Sequence, residues 1–248
     1  MNDSEIESLI YEVRQKLPKA LQTDIPEYIE KDILHVRLAY VPNGRVIDLG
    51  GGYSPTSAVL AKLGMEVTVV DTFASTKFYE QFSSEELCDI LQGFGVKVVK
   101  QDLLQYDPAA VFAPESVDRV VSHDTLYFFN PRILLERCMT VLKKEGMLAV
   151  NVNSAVSLLR RIRVLMGRTN IDLFDSYFFD NIHKRYWTKG DLLRLADFLH
   201  LREVEVIGRN WSLYQSRKGI PRPLLRTADR VLRCKPSLCN DIYLIGKK

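Results

Sequence analysis

The sequence predicts an α/β fold, an open and mostly parallel sheet with helices on both faces, and three observations predict it. The apolar run Val46-Ile47-Asp48-Leu49 breaks into Gly50-Gly51-Gly52, as a buried strand does when it delivers a ligand-binding loop. Pro55 to Leu63 follows at once as a helix with proline at its start, so the loop joins strand to helix where open α/β sheets bind ligands. A further apolar strand, Met65 to Val70, then ends in an acidic residue, Asp71.

The remaining elements fall in order around that unit. Ser4 to Leu17 carries Ile6, Leu9, Ile10, Val13 and Leu17 on one helical face, and residues 1–40 read as an N-terminal helical cover over the sheet. Val96 to Lys100 reads as a third strand, Val117 to Ser122 as a fourth and Ile133 to Leu142 as the helix after it. Thr188 with Asp191 three residues on is a helix-start signature for Leu192 to Leu199. Arg209 to Cys239 is a long basic insertion with Leu224, Leu225, Ala228, Val231 and Leu232 at helical spacing, and Ile242 to Ile245 reads as a closing strand.

Asp71 lies about 20 positions after the glycine loop, at the tip of the second strand, where a carboxylate can accept both hydroxyls of a ribose. That pairing implies a nucleoside-containing ligand. A dinucleotide loop wants G-x-G-x-x-G, with the pyrophosphate on the helix N-terminus, and Pro55 at the third glycine position weakens that reading. On these residues the chain resembles the class I S-adenosylmethionine-dependent methyltransferases, of the type 11-like, small-molecule and glycan-tailoring kind. Their first motif runs hydrophobic-hydrophobic-[D/E]-hydrophobic-G-x-G-x-G, and here it is Val46 to Ser54, with Ser54 in place of the last glycine. Leu142 to Val150 resembles the family's helix end, Gly turn and fifth strand, with Lys144-Glu145-Gly146 where the family has Pro-Gly-Gly, keeping the glycine a helix C-terminus most needs. Asn153 before a basic helix, and His183, Arg185 and Tyr186 in a His-x-Arg-Tyr-x-Thr element, match further family positions. The resemblance spans roughly residues 40 to 208, and agreement of several elements in order is stronger than any one motif.

The resemblance implies a Rossmann-like, seven-stranded, mostly parallel sheet with an antiparallel last strand, in one domain. Residues 41–153 would form the cofactor-binding core, 154–187 a lid and acceptor segment, and 188–248 the rest of the sheet with the basic insertion at 209–239. It implies S-adenosyl-L-methionine as cofactor, held by Asp48, Gly50, Gly51, Gly52, Asp71, Thr72, Asp102, Leu103, Ser122 and His123. Asp102 would face the adenine amino group and His123 the methionine end. Methyl transfer is an in-line displacement, so the protein's main contribution is alignment in a dry pocket. His183 is the first candidate for general base, because an imidazole titrates near neutral pH, with capping of the next helix as its structural alternative. His123 is the second candidate, with lining of the cofactor pocket as its alternative. Arg185 suits an acceptor carboxylate or phosphate through its planar fork, or pairing with Asp180. Tyr127 and Phe128 stand where many relatives carry Glu-His.

The expected reaction is therefore methyl transfer to a hydroxyl, and less readily an amine, of a small acceptor such as a sugar or lipid-linked metabolite, anionic ones included. Ser122-His123-Asp124-Thr125 is not the [D/N/S]-P-P-[Y/F] of nucleobase amino methylation, and no Pro-Cys pair supports attack through cysteine. Asp124 with Asn151 or Asn153 does not complete an oxygen-ligand set, so no metal is expected. Two other readings are a non-catalytic S-adenosylmethionine-binding protein and an RNA methyltransferase, although nucleic acid is not the favoured partner.

Composition agrees with one sizeable α/β domain: 248 residues, 46% hydrophobic. The first thirty residues lack the basic start and apolar stretch of a secretory signal, and no apolar run approaches the ~18 residues of a membrane span, so a cytoplasmic protein is expected. Cys88, Cys138, Cys234 and Cys239 lack metal-site spacing and read as reduced structural thiols. Charge is uneven. Residues 1–153 carry 15 Lys and Arg against 22 Asp and Glu, net −7, and residues 154–248 carry 19 against 9, net +10. The basic half suits an anionic acceptor or partner, or a merely solvated surface. Within it, Ala155 to Arg168 interleaves Val156, Leu158, Leu159, Ile162, Leu165 and Met166 with Arg160, Arg161, Arg163 and Arg168, a basic amphipathic helix ending near Gly167. It reads first as a lid over the site, with ordinary domain packing of its apolar stripe and a peripheral contact with an anionic membrane surface as the alternatives.

Overall fold

The computed structural model describes residues 2–22, 25–74, 81–126, 130–167, 187–211 and 222–248. The chain opens on α1 (Asp3–Arg14), started by a reciprocal capping box between Asn2 and Glu5, and α2 (Pro26–Ala39), started by proline. β1 (Arg45–Leu49), α3 (Thr56–Lys62) and β2 (Glu66–Asp71) follow, then α4 (Ser84–Gly93), β3 (Lys97–Lys100), β4 (Val117–Ser122) and α5 (Arg132–Val141). β5 (Leu142–Asn153), α6 (Leu158–Leu165), α7 (Lys189–Phe198), β6 (Arg202–Arg209), α8 (Arg222–Arg233) and β7 (Asp241–Lys247) complete the chain. Thr188 and Asp191 form the capping box that starts α7, as their spacing predicts.

The seven strands form one sheet in the order β3-β2-β1-β4-β5-β7-β6. β1 to β5 are parallel, and β7 runs antiparallel to both β5 and β6, the arrangement expected. Consecutive residues of the central strands bury on opposite faces. Val46, Val69, Val121 and Ala149 pack with Ile6, Ile10, Ile29, Ile33, Val59 and Leu87 from α1 to α4. Ile47, Val70, Val120, Leu148 and Val150 pack with Leu134, Leu135, Leu192 and Leu195 from α5 and α7. A parallel sheet covered on both faces needs apolar residues at every position, which is why these strands read as continuous apolar runs.

One expectation is corrected. Leu142 to Gly146 is not a helix end and turn. α5 stops at Val141, Leu142 is already extended, and β5 runs unbroken to Asn153. The pairing with β4 slips from Val117 opposite Leu142 to Arg119 opposite Met147, so the extra length of Lys143–Gly146 is absorbed as an irregularity within the strand. Glycine at 146 answers to that irregularity: a Cβ there would lie 2.7 Å from the Leu142 side chain.

Candidate active site

The chain leaves β1 for β2 on one side and returns to β4 on the other, so the strand order reverses between β1 and β4. Crevices at such points, beyond the carboxyl ends of the strands, are where open α/β sheets bind ligands. The glycine loop lies there, and its three glycines are held for three different reasons. Gly50 has φ +79° and donates its N–H to Val70 O at 2.8 Å, while a Cβ would strike Thr125 Oγ1 at 2.3 Å. At Gly51 a Cβ would sit 2.0 Å from Asp48 Oδ2. At Gly52 it would meet the Phe73 ring at 2.5 Å. The loop backbone is thereby packed against Asp48, Phe73 and Thr125, and what remains is a cradle of bare backbone.

Asp48 and Asp71 organise this cradle. Asp48 is buried at the end of β1, accepts from Ser57 Oγ at 2.6 Å through Oδ2, and keeps Oδ1 buried without a hydrogen bond. Burial pushes its carboxyl up to about 6. Asp71 accepts from Gly52 N at 3.1 Å and from Phe73 N at 2.8 Å, one backbone donor for each carboxylate oxygen. Burial raises its carboxyl too, against the pull of those two donors. The remaining cofactor residues expected from the sequence take varied positions. Thr72 is exposed just past Asp71, with Oγ1 accepting from Ala74 N at 3.4 Å. Asp102 is exposed beyond β3 and accepts from Leu104 N at 2.8 Å, while Leu103 is buried in the core. Ser122 is fully buried and donates to Leu49 O at 3.0 Å, tying β4 to β1. Ser54, where the motif has its last glycine, reaches the N-terminal cover: its Oγ donates to Asp32 Oδ1 at 3.3 Å, and Asp32 is paired with Arg14 in a buried salt bridge.

A second polar group adjoins the cradle through Thr125, whose Oγ1 is 3.0 Å from His123 O. Asp124, at φ +55°, donates its N–H to Asn151 Oδ1 at 2.7 Å and accepts from Asn151 Nδ2 at 3.2 Å. Its other oxygen is paired with the Lys31 ammonium, which comes from α2. Burial alone would push the Asp124 carboxyl up; the Lys31 charge and the Asn151 amide outweigh it and hold the group below the ordinary range. His123 stacks on His35 of α2, and neither of its ring nitrogens makes a hydrogen bond. Burial drives its imidazole down to about 3. His35 Nε2 lies 3.1 Å from the Tyr243 hydroxyl, which also accepts from Trp211 Nε1 at 3.0 Å. Asp241, opposite Asn153 in the β5–β7 pairing, is pushed by burial up to about 7.

Asp124 and Asn151, considered from the sequence as partners, do come together, with a lysine ammonium where a bound cation would sit. Lys31, His35, Asp241 and Tyr243 were not found by sequence reasoning. For the α2 pair the signal is on that helix, where Asp32 and His35 interrupt the apolar stripe of Ile29, Val36 and Ala39 at spacings of three and four. His183, Arg185, Tyr186, Tyr127, Phe128 and Asp180 lie outside the described residues.

Residues 47–150, from β1 through most of β5, match the model of a methyltransferase domain family. Over this span the chain carries a methyltransferase domain. The structure of this methyltransferase is similar to that of an S-adenosylmethionine-dependent methyltransferase from Archaeoglobus fulgidus, at 18% identity over 90% of this chain and 94% of that one, TM-score 0.58. It is similar to phosphoethanolamine N-methyltransferase 2 of Haemonchus contortus in complex with S-adenosyl-L-methionine, at 14% identity over 100% of this chain and 57% of that one, TM-score 0.60. A third similarity is to an S-adenosylmethionine-dependent methyltransferase from Mesorhizobium loti, at 15% identity over 88% and 97% of the two chains, TM-score 0.56. No curated protein sequence matches the chain. The methyltransferase uses S-adenosylmethionine, and the residues fit it: the cradle is closed to any side chain at positions 50 to 52, and the Asp71 carboxylate stands at the tip of the neighbouring strand.

Proposed function

We propose that this methyltransferase alkylates a hydroxyl group of a small acceptor of the sugar or lipid-linked class. The reading rests on one observation, a polar group of the buried Asn151 and Asp241 with the partly buried Lys31–Asp124 pair beside the glycine cradle at the carboxyl edge of the sheet. Bound S-adenosylmethionine supplies an electrophilic methyl carbon on a sulfonium. The protein's residues must then align the acceptor oxygen and take its proton. A hydroxyl ionises far above neutral pH, so a base titrating near neutrality gives the largest benefit. Asp241, at about 7, meets that condition among the described residues, and His183 meets it by residue type. His123, held neutral at about 3, is a weak base and takes the role of pocket wall. Lys31 beside the acceptor site disfavours a cationic amine and favours neutral and anionic acceptors, and Arg185 is assigned to an acceptor carboxylate or phosphate. Gly50, Gly51, Gly52, Asp71, Thr72, Asp102, Leu103, Ser122 and the fixed Asp48 are assigned to the cofactor.

The test is an acceptor screen that measures S-adenosylhomocysteine release, followed by pH–rate profiles of the parent and Asp241→Asn. For an active hydroxyl acceptor, kcat should rise with pH through about 7 in the parent. Asp241→Asn should lower kcat by about 100-fold, the usual contribution of general base catalysis. An unchanged profile in Asp241→Asn moves the proton to another group, and turnover confined to amine acceptors rejects the hydroxyl reading.

A further inference from the structure

None of the eight residues of α6 is buried. At about 100° per residue Leu158, Leu159, Ile162, Leu165 and, at the C-cap, Met166 fall within an arc of about 120°, and Val164 alone of the apolar side chains lies outside it, beside Arg160. All five are exposed, Leu165 at 86% and Met166 at 59%. Arg161 and Arg163 flank that arc on its two sides, and Arg160 stands opposite. Five large apolar side chains in one exposed stripe mark a surface that something covers. The flanking charges identify the cover, because it must be apolar beneath the stripe and negative at both margins.

We propose that α6 docks this methyltransferase on an anionic lipid bilayer, with its apolar arc at the acyl boundary and Arg161 and Arg163 at the headgroup phosphates. Eight residues rise about 12 Å, well short of the ~30 Å hydrocarbon core, so α6 lies in the plane of the surface. Among the described residues no helix is long and apolar enough to cross a membrane. The excess charge of residues 154–248, +10, adds long-range attraction to the same surface. The stem of α6 is pinned to the sheet edge by Ser154 N donating to Asn240 O and Ala155 N donating to Trp187 O, each at 2.7 Å. A docked α6 therefore holds the edge carrying Asn153 and Asp241 against the headgroup layer, where a lipid-linked acceptor would be met. The docking itself is independent of which acceptor is used.

The experiment is co-sedimentation of the full chain with vesicles of phosphatidylcholine alone and of phosphatidylcholine with phosphatidylglycerol in equal parts. The parent should pellet with the anionic vesicles, release as salt rises, and stay in solution with the neutral ones. Ile162→Glu with Leu165→Glu should lower partitioning at least tenfold, and each of Arg161→Gln and Arg163→Gln about fivefold. Because these side chains are exposed, the variants should keep the parent's circular dichroism and S-adenosylmethionine affinity. A parent that stays in solution with anionic vesicles overturns the proposal, as does a double variant that binds as tightly as the parent. Self-association abolished by Leu165→Glu without any vesicle binding overturns it too, and assigns the stripe to a second copy of the chain.

Discussion

The imidazole of His123 lies flat on that of His35, with 3.5 Å between ring centroids and 2° between planes. Two protonated rings cannot occupy that position, and burial holds both in the neutral form. The unfolded histidines titrate near 6.5 and the folded His123 near 3, so below about 6.5 the unfolded chain binds more protons and stability is lost as the pH is lowered. Asp48 and Asp241, whose carboxyls are raised, act in the opposite direction over the same interval, since their folded forms bind the extra proton.

A difference between parent and variant isolates the histidine. His123→Phe preserves a flat ring against His35 and removes the titration. The prediction is that the parent loses up to about 1.4 kcal/mol more than His123→Phe per pH unit between roughly 6.5 and 4, by urea unfolding. Parallel pH dependences would mean that His123 is not buried as a neutral ring.

Gly51→Ala tests the cradle. Its methyl group would lie 2.0 Å from Asp48 Oδ2, and Asp48 is fixed by Ser57. Overpacking of this kind costs about 1–3 kcal/mol, read as a lower midpoint of denaturation. Affinity for S-adenosylhomocysteine by calorimetry should fall at least tenfold, because the loop backbone has to move. Wild-type affinity would show that the ligand does not touch this loop.

Asp71→Ala removes the acceptor of two backbone N–H groups as well as the carboxylate assigned to the ribose. Binding of S-adenosylmethionine should weaken by about 1.5–3 kcal/mol, the range for hydrogen bonds to a charged group, and NAD should bind neither protein. If calorimetry gives equal affinities for parent and variant, the ribose assignment fails.

How far the site was legible in the sequence follows from the range of its contacts. The cradle could be read because strand, glycines and acidic tip lie within one β-α-β unit, and because Gly51 admits no other residue beside Asp48. The mostly parallel sheet and its antiparallel last strand followed from the family resemblance, whereas the order of the strands is set by long-range pairing and was given by the structure alone. The second polar group was not legible as a group. Lys31 meets Asp124 across 93 positions and His35 meets Tyr243 across 208, and no local period links such partners. The reading of Gly146 as a helix cap failed for a related reason. Its constraint is a strand irregularity against β4, set by pairing and not by the segment's own propensity.

Lys31 and Asp124 form the ion pair by which the N-terminal cover reaches the second polar group, beside the stack of His35 on His123. Asp124 is partly open to water and Lys31 is nearly enclosed, so removing one partner should cost between the exposed limit of about 1 kcal/mol and the buried range of about 3–5. Lys31→Met and Asp124→Asn should each destabilise, and the double variant should recover part of the loss. A double-mutant cycle in thermal unfolding with zero coupling energy would dissolve the pair.

Arg14 supplies the corresponding contact on the cofactor side. Its guanidinium pairs with Asp32, both nearly buried, and the other Asp32 oxygen accepts from Ser54 of the glycine loop. Burial raises the Asp32 carboxyl while Arg14 opposes that rise, so Arg14→Ala leaves a buried carboxyl without its cation. Breaking a buried pair in this way costs about 3–5 kcal/mol, in part because the carboxyl then protonates to escape its charge. The link to Ser54 adds a second readout. With Asp32 neutral, its hydrogen bond to Ser54 weakens and the loop loses a tether, so S-adenosylmethionine affinity should fall together with stability. Asp32→Asn, which keeps an acceptor for Ser54, should lower stability with a smaller effect on affinity. Equal losses of affinity in the two variants would locate the effect in the global fold, and only unequal losses would place α1 and α2 in control of the cofactor loop.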